Sequence, residues 1–239
     1  MNSLNETIID IHCHILPNLD DGPSSVEEAQ EMLERAKEIG ITEIVATPHL
    51  IWQGEIISKD KIKEAIELLS PKISIYIGAE TPLLEAPNLL ENGQLIPTGR
   101  LILLDTPTIG SLAGLEQLIF KLHLKRFIPV LAHPERNLAL ARDRNRLEHL
   151  KNMGLLFQIN GSSLLGVLGK EVKKSAEKLL EWSFVDIIAS DSHSPEGMEN
   201  YRDALLLLRK RWGEQLFRKL TKGNIIKLLK EAREVEQRI

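Results

Sequence analysis

Residues 8–14 read Ile-Ile-Asp-Ile-His-Cys-His, an apolar run with polar side chains at every second position from residue 10. Side chains alternate between the two faces of a β-strand. One face is therefore expected to carry Asp10, His12 and His14. The other face would carry Ile9, Ile11 and Cys13 and pack under helices. Two imidazoles at positions i and i+2 can bind one metal ion, so this stretch predicts a buried strand that ends in a metal site.

Polar residues also end five further candidate strands. These residues are His49, Glu80, Asp105, His133, and the pair Asp191 and His193. In a parallel barrel the carboxyl ends of the strands share one rim, which is where active sites form. A buried polar cluster needs partners, and metal ions would supply them. The mixed set of His and carboxylate ligands, in a chain with a single cysteine, favours Mn, Fe or Zn over a thiolate site.

Short apolar runs alternate with longer amphipathic stretches along the chain. Strands are predicted at Thr7–Ile11, Glu43–Ala46, Ser74–Gly78, Leu101–Leu104, Phe127–Leu131, Leu155–Ile159 and Val185–Ala189. Helices are predicted at Ser25–Ile39, Lys59–Leu69, Gly114–Leu122, Arg142–Met153, Lys170–Trp182, Glu199–Trp212 and Lys222–Gln237. This alternation predicts an α/β fold with parallel strands.

Seven strands suit either a barrel or a doubly wound sheet. No Gly-x-Gly-x-x-Gly motif follows the first strand, which weakens the dinucleotide-binding version of the sheet. No change in composition marks a linker, so residues 1–239 are expected to form one domain.

The composition limits the classes of partner. The chain has 239 residues, of which 43% are hydrophobic and 27% charged, with a formal net charge of −4. Without a basic excess, nucleic acid is not an expected partner. The single cysteine excludes an intrachain disulfide. No apolar run approaches the ~18 residues of a membrane-spanning helix and no signal peptide is visible. We therefore expect a cytoplasmic protein without direct membrane insertion, with a homo-oligomer left open.

Several other residues receive structural interpretations. His123 and His149 fall in predicted helices and are expected at the surface. Cys13 is expected to pack as a small apolar residue. It cannot begin the Cys-x5-Arg loop of thiol phosphatases, because the sixth residue after it is Leu19. Trp52 follows His49 closely and either packs within a loop or covers the site.

Residues 10–23, Asp-Ile-His-Cys-His-Ile-Leu-Pro-Asn-Leu-Asp-Asp-Gly-Pro, resemble the opening motif of the PHP (polymerase and histidinol phosphatase) domain family. The branch they resemble is that of the bacterial manganese-dependent protein-tyrosine phosphatases of capsule and exopolysaccharide operons. Further matching segments, in the same order, are Ala46–His49, Gly78–Glu80, Ala132–Arg136, Gln158–Asn160, Ser163–Gly166 and Ala189–His193. The full ordered set is much more specific than the His-x-His pair alone.

The resemblance implies a distorted seven-stranded (β/α) TIM-like barrel, the PHP fold, with three metal ions. These would be Mn²⁺, with Fe or Zn as alternatives. The first ion would take His12, His14, Glu80 and Asp191. Glu80 would bridge to a second ion held by His133 and Asp105, and the third would take Asp21, His49 and His193. Arg136 would hold the phosphate, and Asp191 and His193 are also candidates to assist catalysis.

Three positions depart from the pattern of that branch. Asp105 stands where the family usually has Glu, and its shorter side chain predicts weaker or water-mediated binding of the second ion. Leu50 stands where a second His often follows the residue equivalent to His49. Met198 stands where the family tends to have a second arginine, which makes Arg202 the candidate for the other half of the phosphate clamp.

The function that the resemblance implies is hydrolysis of phosphotyrosine on a bacterial tyrosine kinase that controls capsule or exopolysaccharide synthesis. The expected chemistry is metal-assisted hydrolysis of a phosphomonoester, with no covalent cysteinyl-phosphate. A phenolate, with a pKa of ~10, is a good leaving group for such a reaction. Two alternatives stay open: another PHP phosphoesterase such as a histidinol-phosphate phosphatase, and a non-catalytic PHP module that binds a partner.

Overall fold

Parallel β-strands form the centre of the structure, a computed structural model that describes residues 7–110 and 112–229. In chain order the strands are β1 (Ile8–Cys13), β2 (Ile41–Ala46), β3 (Ile51–Trp52), β4 (Glu55–Ile56), β5 (Ser74–Ile77), β6 (Glu80–Pro82), β7 (Leu101–Asp105), β8 (Ile128–Ala132), β9 (Leu156–Asn160) and β10 (Ile187–Ala189). All seven predicted strands are present, with ends that differ by at most two residues. The three short strands β3, β4 and β6 were not predicted.

Helices separate most of the strands. They are α1 (Val26–Ile39), α2 (Lys59–Glu67), α3 (Ala86–Glu91), α4 (Leu115–Leu124), α5 (Leu138–Arg142), α6 (Arg144–Asn152), α7 (Gly161–Leu165), α8 (Lys170–Glu181), α9 (Pro195–Trp212) and α10 (Glu214–Arg218). A 3₁₀ turn spans Pro134–Arg136 and a π turn spans Lys219–Gly223. Within the described residues, no helix combines the length and apolar character needed to cross a membrane.

Four helices, α3, α5, α7 and α10, were not predicted because five or six residues contain too little of the helical period to detect. The other helices follow the predicted ranges closely. The last prediction, Lys222–Gln237, agrees with the helical residues 224–229. Its remainder, residues 230–237, lies outside the described residues.

Helix α1 illustrates how the sequence sets the ends of an element. The Ser25 side chain accepts a hydrogen bond from the backbone N–H of Glu28 and so caps the first turn. Gly40 ends the helix with a φ of 101°, a left-handed conformation that favours glycine. Between these caps, the apolar residues fall on one face, which is buried against the strands.

The parallel ladders form two sheets. The first has the order β1-β2-β5, and the second has the order β10-β9-β8-β7-β6. Two single parallel bridges link the sheets, one between Cys13 and Ser192 and the other between His49, which follows β2, and Glu80. The short strands β3 and β4 form a separate antiparallel hairpin directly after His49.

The apolar core has two parts. A smaller cluster, which we call the inner cluster, contains residues from many of the parallel strands: Ile9, Ile11, Val45, Leu101, Leu103, Val130, Ala132, Ile187 and Ala189, together with Ile225. A larger cluster, the outer cluster, lies between the strands and the helices and includes Cys13. The two sets of side chains therefore fill opposite faces of the strands.

The prediction for the faces of β1 was wrong. Ile9 and Ile11 belong to the inner cluster, whereas Cys13 belongs to the outer cluster with Ile8. The ladder between β1 and β2 has a register shift between Asp10 and Cys13. Such an irregularity breaks the strict alternation of side chains. Cys13 itself is buried, as predicted.

Candidate metal centre

A cavity of about 450 Å³ opens at the carboxyl ends of the parallel strands. Asp105 and Asn160 are the last residues of β7 and β9, and His133 and Asp191 follow β8 and β10. The polar strand ends therefore share one rim. Because residues at or just after several strand ends reach the same place, residues far apart in the sequence meet here.

Seven of the nine residues that were predicted as metal ligands line this cavity, and the buried His12 and His14 share ligand groups with them. The nine residues fall into four overlapping groups, and within each group one ligand atom per residue lies within 4.8 Å of the others. The groups are His14, Asp21, His49 and His193; His12, His14 and Glu80; His12, His133 and Asp191; and Glu80, Asp105 and His133.

Glu80 lies at the centre of the cluster. Its Oε1 atom lies 2.8 Å from His133 Nε2 and 3.3 Å from His12 Nε2. Its Oε2 atom lies 3.0 Å from His49 Nδ1 and 3.4 Å from His14 Nε2. One carboxylate thus contacts members of every group, which is the arrangement needed to bridge two ions.

Burial of the side chains decreases from the floor of the cavity to its rim. The side chains of His12 and His14 are 0% exposed, and that of Glu80 is 1% exposed. Asp21 is 49% exposed and His193 is 30% exposed. The group that contains Asp21 is therefore the one most open to solvent.

A chain of amide hydrogen bonds connects two of the predicted ligands. His12 Nδ1 donates to Gln158 Oε1 over 2.9 Å. Gln158 Nε2 donates to Asn160 Oδ1 over 2.9 Å, and Asn160 Nδ2 donates to Asp191 Oδ2 over 2.5 Å. Because an amide oxygen only accepts, Nδ1 of His12 carries a proton. Nε2, which faces the cluster, is therefore the nitrogen of His12 that can bind a metal ion in place of a proton.

Asp20 plays the same part for His14. Its Oδ2 atom accepts from His14 Nδ1 over 2.6 Å and from the backbone N–H of His49 over 2.9 Å. Gly22 donates its own N–H to Asp20 Oδ1. A Cβ at Gly22 would lie 2.5 Å from the carbonyl oxygen of His14, so the loop needs glycine there.

Glu135 holds the 3₁₀ turn that carries Arg136. Its Oε1 atom accepts from the backbone N–H of Asn160 over 2.9 Å and from Ser163 Oγ over 2.8 Å. Glu135 is fully buried, and burial raises the pKa of its carboxyl group. The turn after β8 is thereby fixed to the start of α7.

The electrostatic field of the cluster favours positive charge. Burial alone would lower the pKa of His12, but the carboxylates of Asp191 and Glu80 raise it to about 9. Burial opposes ionisation of Glu80 as well, yet His12 and the other imidazoles hold the pKa of that carboxyl group well below its usual range. Burial and the neighbouring Glu80 raise the pKa of Asp105. The site thus attracts cations, either protons or metal ions.

The residues present fit a metal centre. The Nε2 atoms of His12 and His14 face each other at 3.3 Å, and Asp191 Oδ1 lies 3.2 and 3.5 Å from them. Imidazole nitrogens and carboxylate oxygens that converge in this way are the donors that Mn, Fe and Zn bind. In addition, His133 and Asp191 have positive φ values of 38° and 50°. Strained backbone of this kind, outside glycine, is concentrated at functional sites.

The two arginines predicted to hold phosphate differ in position. Arg136 lines the cavity, and its Nη1 atom lies 3.7 Å from Asp191 Oδ2. The structure does not bring Arg202 to the cavity. Arg202 lies on α9, is 48% exposed and donates two hydrogen bonds to Asp203. Met198, one turn earlier on the same helix, is buried in the outer cluster.

The remaining predictions concern single side chains. His123 and His149 are exposed, as predicted. The Trp52 ring is half-buried and stacks on the His49 ring, with 5.6 Å between centroids and 7° between planes. Sequence reasoning assigned no role to Asp20, Glu135, Gln158 or Asn160. The only signal for them was their place inside matching motifs.

A cluster of His and carboxylate residues at the ends of parallel strands defines a candidate metal-dependent enzyme. Residues 8–230 match the CpsB/CapC family of capsular polysaccharide synthesis. The chain therefore belongs to the CpsB/CapC family.

Proteins similar to this chain carry one consistent description. This chain is 35% identical over 232 residues to the tyrosine-protein phosphatase YwqE of Bacillus subtilis, and the match covers 90% of this chain and 89% of that protein. It is 34% identical over 197 residues to the putative tyrosine-protein phosphatase CapC of Staphylococcus aureus, covering 78% and 77%.

A solved structure gives the same result. It comes from work on YwqE and on CpsB of Streptococcus pneumoniae, described as unique metal-dependent tyrosine phosphatases. The two chains superpose with a TM-score of 0.84 at 33% identity, over 92% of this chain and 93% of the other. The resemblance to the tyrosine-phosphatase branch that the motifs indicated is confirmed.

Proposed function

We propose that this chain is a metal-dependent protein-tyrosine phosphatase that acts in the control of capsule or exopolysaccharide synthesis. The observation that carries this proposal is the convergence of nine His, Asp and Glu side chains in four overlapping groups at one cavity. Membership of the CpsB/CapC family and the names of the relatives support the choice of phosphotyrosine as substrate.

We further propose that residues 1–239 form one domain and that the two sheets close into a seven-stranded TIM-like barrel. The bridges at Cys13 and Ser192, and at His49 and Glu80, support closure. The count becomes seven when β5 and β6 are taken as one bent strand, since only two residues separate them.

Three ions, with Mn²⁺ as the proposed metal, would be held by the nine residues. His12, His14, Glu80 and Asp191 would hold the first, and Glu80, Asp105 and His133 the second. Asp21, His49 and His193 would hold the third. A metal ion in such a site supplies Lewis-acid chemistry and lowers the pKa of bound water towards neutrality.

The chain's own residues bind and orient the substrate. Arg136 would hold the phosphoryl oxygens, because its planar guanidinium binds two oxygens at once. Asp191 accepts a hydrogen bond from Asn160 and lies beside Arg136, so it would fix both a ligand position and the direction of Arg136. His193 and Asp191 would also assist proton transfer at the rim. Loss of a phenolate demands little from a general acid.

The substrate would be a tyrosine-phosphorylated protein, and we propose a cognate bacterial tyrosine kinase. Nucleic acid and direct membrane insertion play no part in this proposal. A cytoplasmic location and the oligomeric state stay predictions.

The test compares substrates before and after metal removal. We expect hydrolysis of a phosphotyrosyl peptide, loss of activity after chelation and recovery with Mn²⁺. Histidinol phosphate should be a poor substrate under the same conditions. Activity that survives thorough chelation would contradict the mechanism, and a preference for histidinol phosphate would contradict the substrate.

A further inference from the structure

The turn between α7 and α8 places two apolar side chains in solvent. The sequence of residues 166–169 is Gly-Val-Leu-Gly, and the N–H of Gly169 donates to the carbonyl oxygen of Gly166 over 2.9 Å. Val167 and Leu168 are therefore the central residues of a β-turn. They are 57% and 44% exposed. Turns favour Gly, Pro, Asn, Asp and Ser, so the geometry of the turn does not explain two aliphatic residues at its tip.

The two residues differ in what they lie next to. Leu168 lines the cavity of the candidate metal centre, and Val167 does not. The described lining is otherwise almost wholly polar, with Pro107 as the other apolar side chain. A polar cavity floor thus has an exposed leucine at its edge.

A phosphotyrosyl side chain has the complementary distribution of polarity. Its phosphoryl group binds favourably to cationic groups. Its phenyl ring is stabilised when its apolar surface is removed from water. With the phosphoryl group at the cluster beside Arg136, the ring extends outwards along the wall of the cavity, where Leu168 is exposed.

We propose that Leu168 is a specificity-determining residue that contacts the aromatic ring of the substrate. The inference rests on the proposed function, and it adds the side chain that distinguishes an aryl phosphate from an alkyl phosphate. The turn holds Leu168 in place, because Gly166 and Gly169 have φ values of 84° and 97° and the N–H of Gly166 donates to the carbonyl oxygen of Ser163.

The experiment measures binding of two inhibitors that differ in the ring. Phenylphosphonate and methylphosphonate are titrated by calorimetry into the Mn²⁺-loaded full chain and into the Leu168→Ser, Leu168→Met and Val167→Ser variants. Leu168→Ser should weaken binding of phenylphosphonate roughly three- to tenfold, with methylphosphonate unchanged. Leu168→Met, which keeps an apolar side chain of similar size, should bind phenylphosphonate nearly as the parent chain does. Val167→Ser, the matched control in the same turn, should bind both inhibitors as the parent chain does.

Three results would overturn the inference: unchanged phenylphosphonate binding in Leu168→Ser, equal weakening of both inhibitors, or equal weakening by Val167→Ser. Hydrolysis of a phosphotyrosyl peptide by the parent chain is measured in parallel. Its absence would refute the proposed function, whereas a parent chain that is active and a Leu168→Ser variant that binds normally would refute only the role of Leu168.

Discussion

Gln158 connects two of the proposed ligands and makes no direct contact with the open cavity. It accepts from His12 and donates to Asn160, which in turn donates to Asp191. Partners of this kind fix the tautomer and orientation of a ligating histidine.

Replacement of Gln158 should therefore act through His12. Gln158→Leu leaves the Nδ1 proton of His12 without an acceptor, and we expect metal affinity or activity to fall roughly 10- to 100-fold. Metal content by elemental analysis and turnover of a phosphotyrosyl peptide would measure this. Gln117→Leu, an exposed glutamine on α4, is the control. If Gln158→Leu and Gln117→Leu had the same metal content and turnover, Gln158 would not be orienting His12.

The shifted pKa of His12 predicts how the metal-free chain responds to pH. The pKa rises from 6.5 to about 9 in the folded chain. Such a group stabilises the fold below the unfolded value and loses that contribution as pH rises through the folded value. The free energy of unfolding should fall by on the order of 1–3 kcal/mol between about pH 6.5 and 9.

Urea unfolding of the chelated protein across this pH range measures the effect. With Mn²⁺ present the trend should reverse or vanish, because metal ions replace the protons and bind more tightly as pH rises. If the stability of the metal-free protein increased with pH over this range, the carboxylates of Asp191 and Glu80 could not be raising the pKa of His12 as described.

Single residues differ in how far the sequence could predict them. Each of the nine proposed ligands follows or ends a strand or lies in a motif, so pattern and resemblance together reached them. Asp20 and Asp21 are adjacent and chemically identical; the resemblance selected Asp21 as a ligand, and the fold adds that Asp20 orients His14 while Asp21 lies near His193. Arg202 was predicted as a substitute for the arginine that the family tends to have at the position of Met198, and the resemblance could not show that its side chain bonds to Asp203 instead.

At the scale of elements, β1 carries one of the proposed ligands, His12, and the hairpin of β3 and β4 contacts another, His49. Ile11 lies in the inner cluster and the ring of His12, the next residue, reaches the cluster of proposed ligands, in the stretch of β1 where its pairing with β2 shifts register. The hydrophobic pattern could not reveal this, because a register shift leaves the composition of the strand unchanged. Strand positions were predictable, but the face of each side chain beyond the shift was not.

The hairpin provides a test at this scale. Trp52 stacks on His49, and aromatic pairs contribute about 0.5–1.5 kcal/mol. Trp52→Ala should release the His49 ring and weaken binding of one ion roughly two- to tenfold, while Trp52→Phe should retain it. Competition titrations with a fluorescent chelator would measure the affinity. Full metal affinity in Trp52→Ala would indicate that the stack contributes only loop packing.

At the scale of the whole molecule, the inner cluster and the metal centre occupy the same set of strands. Most residues of the inner cluster lie before the strand ends, and residues at or beyond several strand ends line the cavity. The sequence predicted the α/β class and the shared rim because both follow from local patterns. It could not predict that the strands form two sheets linked by single bridges, because those bridges depend on contacts between strands that are distant in the sequence.

A substitution at Ile225 would test whether the inner cluster stabilises the fold separately from the metal centre. Ile225 is fully buried in the inner cluster, in the helical residues 224–229. Ile225→Ala should lower the free energy of unfolding by about 2–4 kcal/mol because it leaves a cavity in the core. Metal binding should be unchanged at temperatures where the variant is folded. Chemical denaturation is the measurement, and the exposed Ile109→Ala is the control. An unaffected midpoint would contradict the position of Ile225 in the core.

We propose that nine side chains hold three metal ions at one cavity. Crystals grown with Mn²⁺ and measured for anomalous scattering would test it most directly. We expect three anomalous peaks at the cavity, each contacted by members of the ligand groups, with Glu80 between two of them. A map without peaks at these side chains, or with metal bound only elsewhere on the chain, would contradict it.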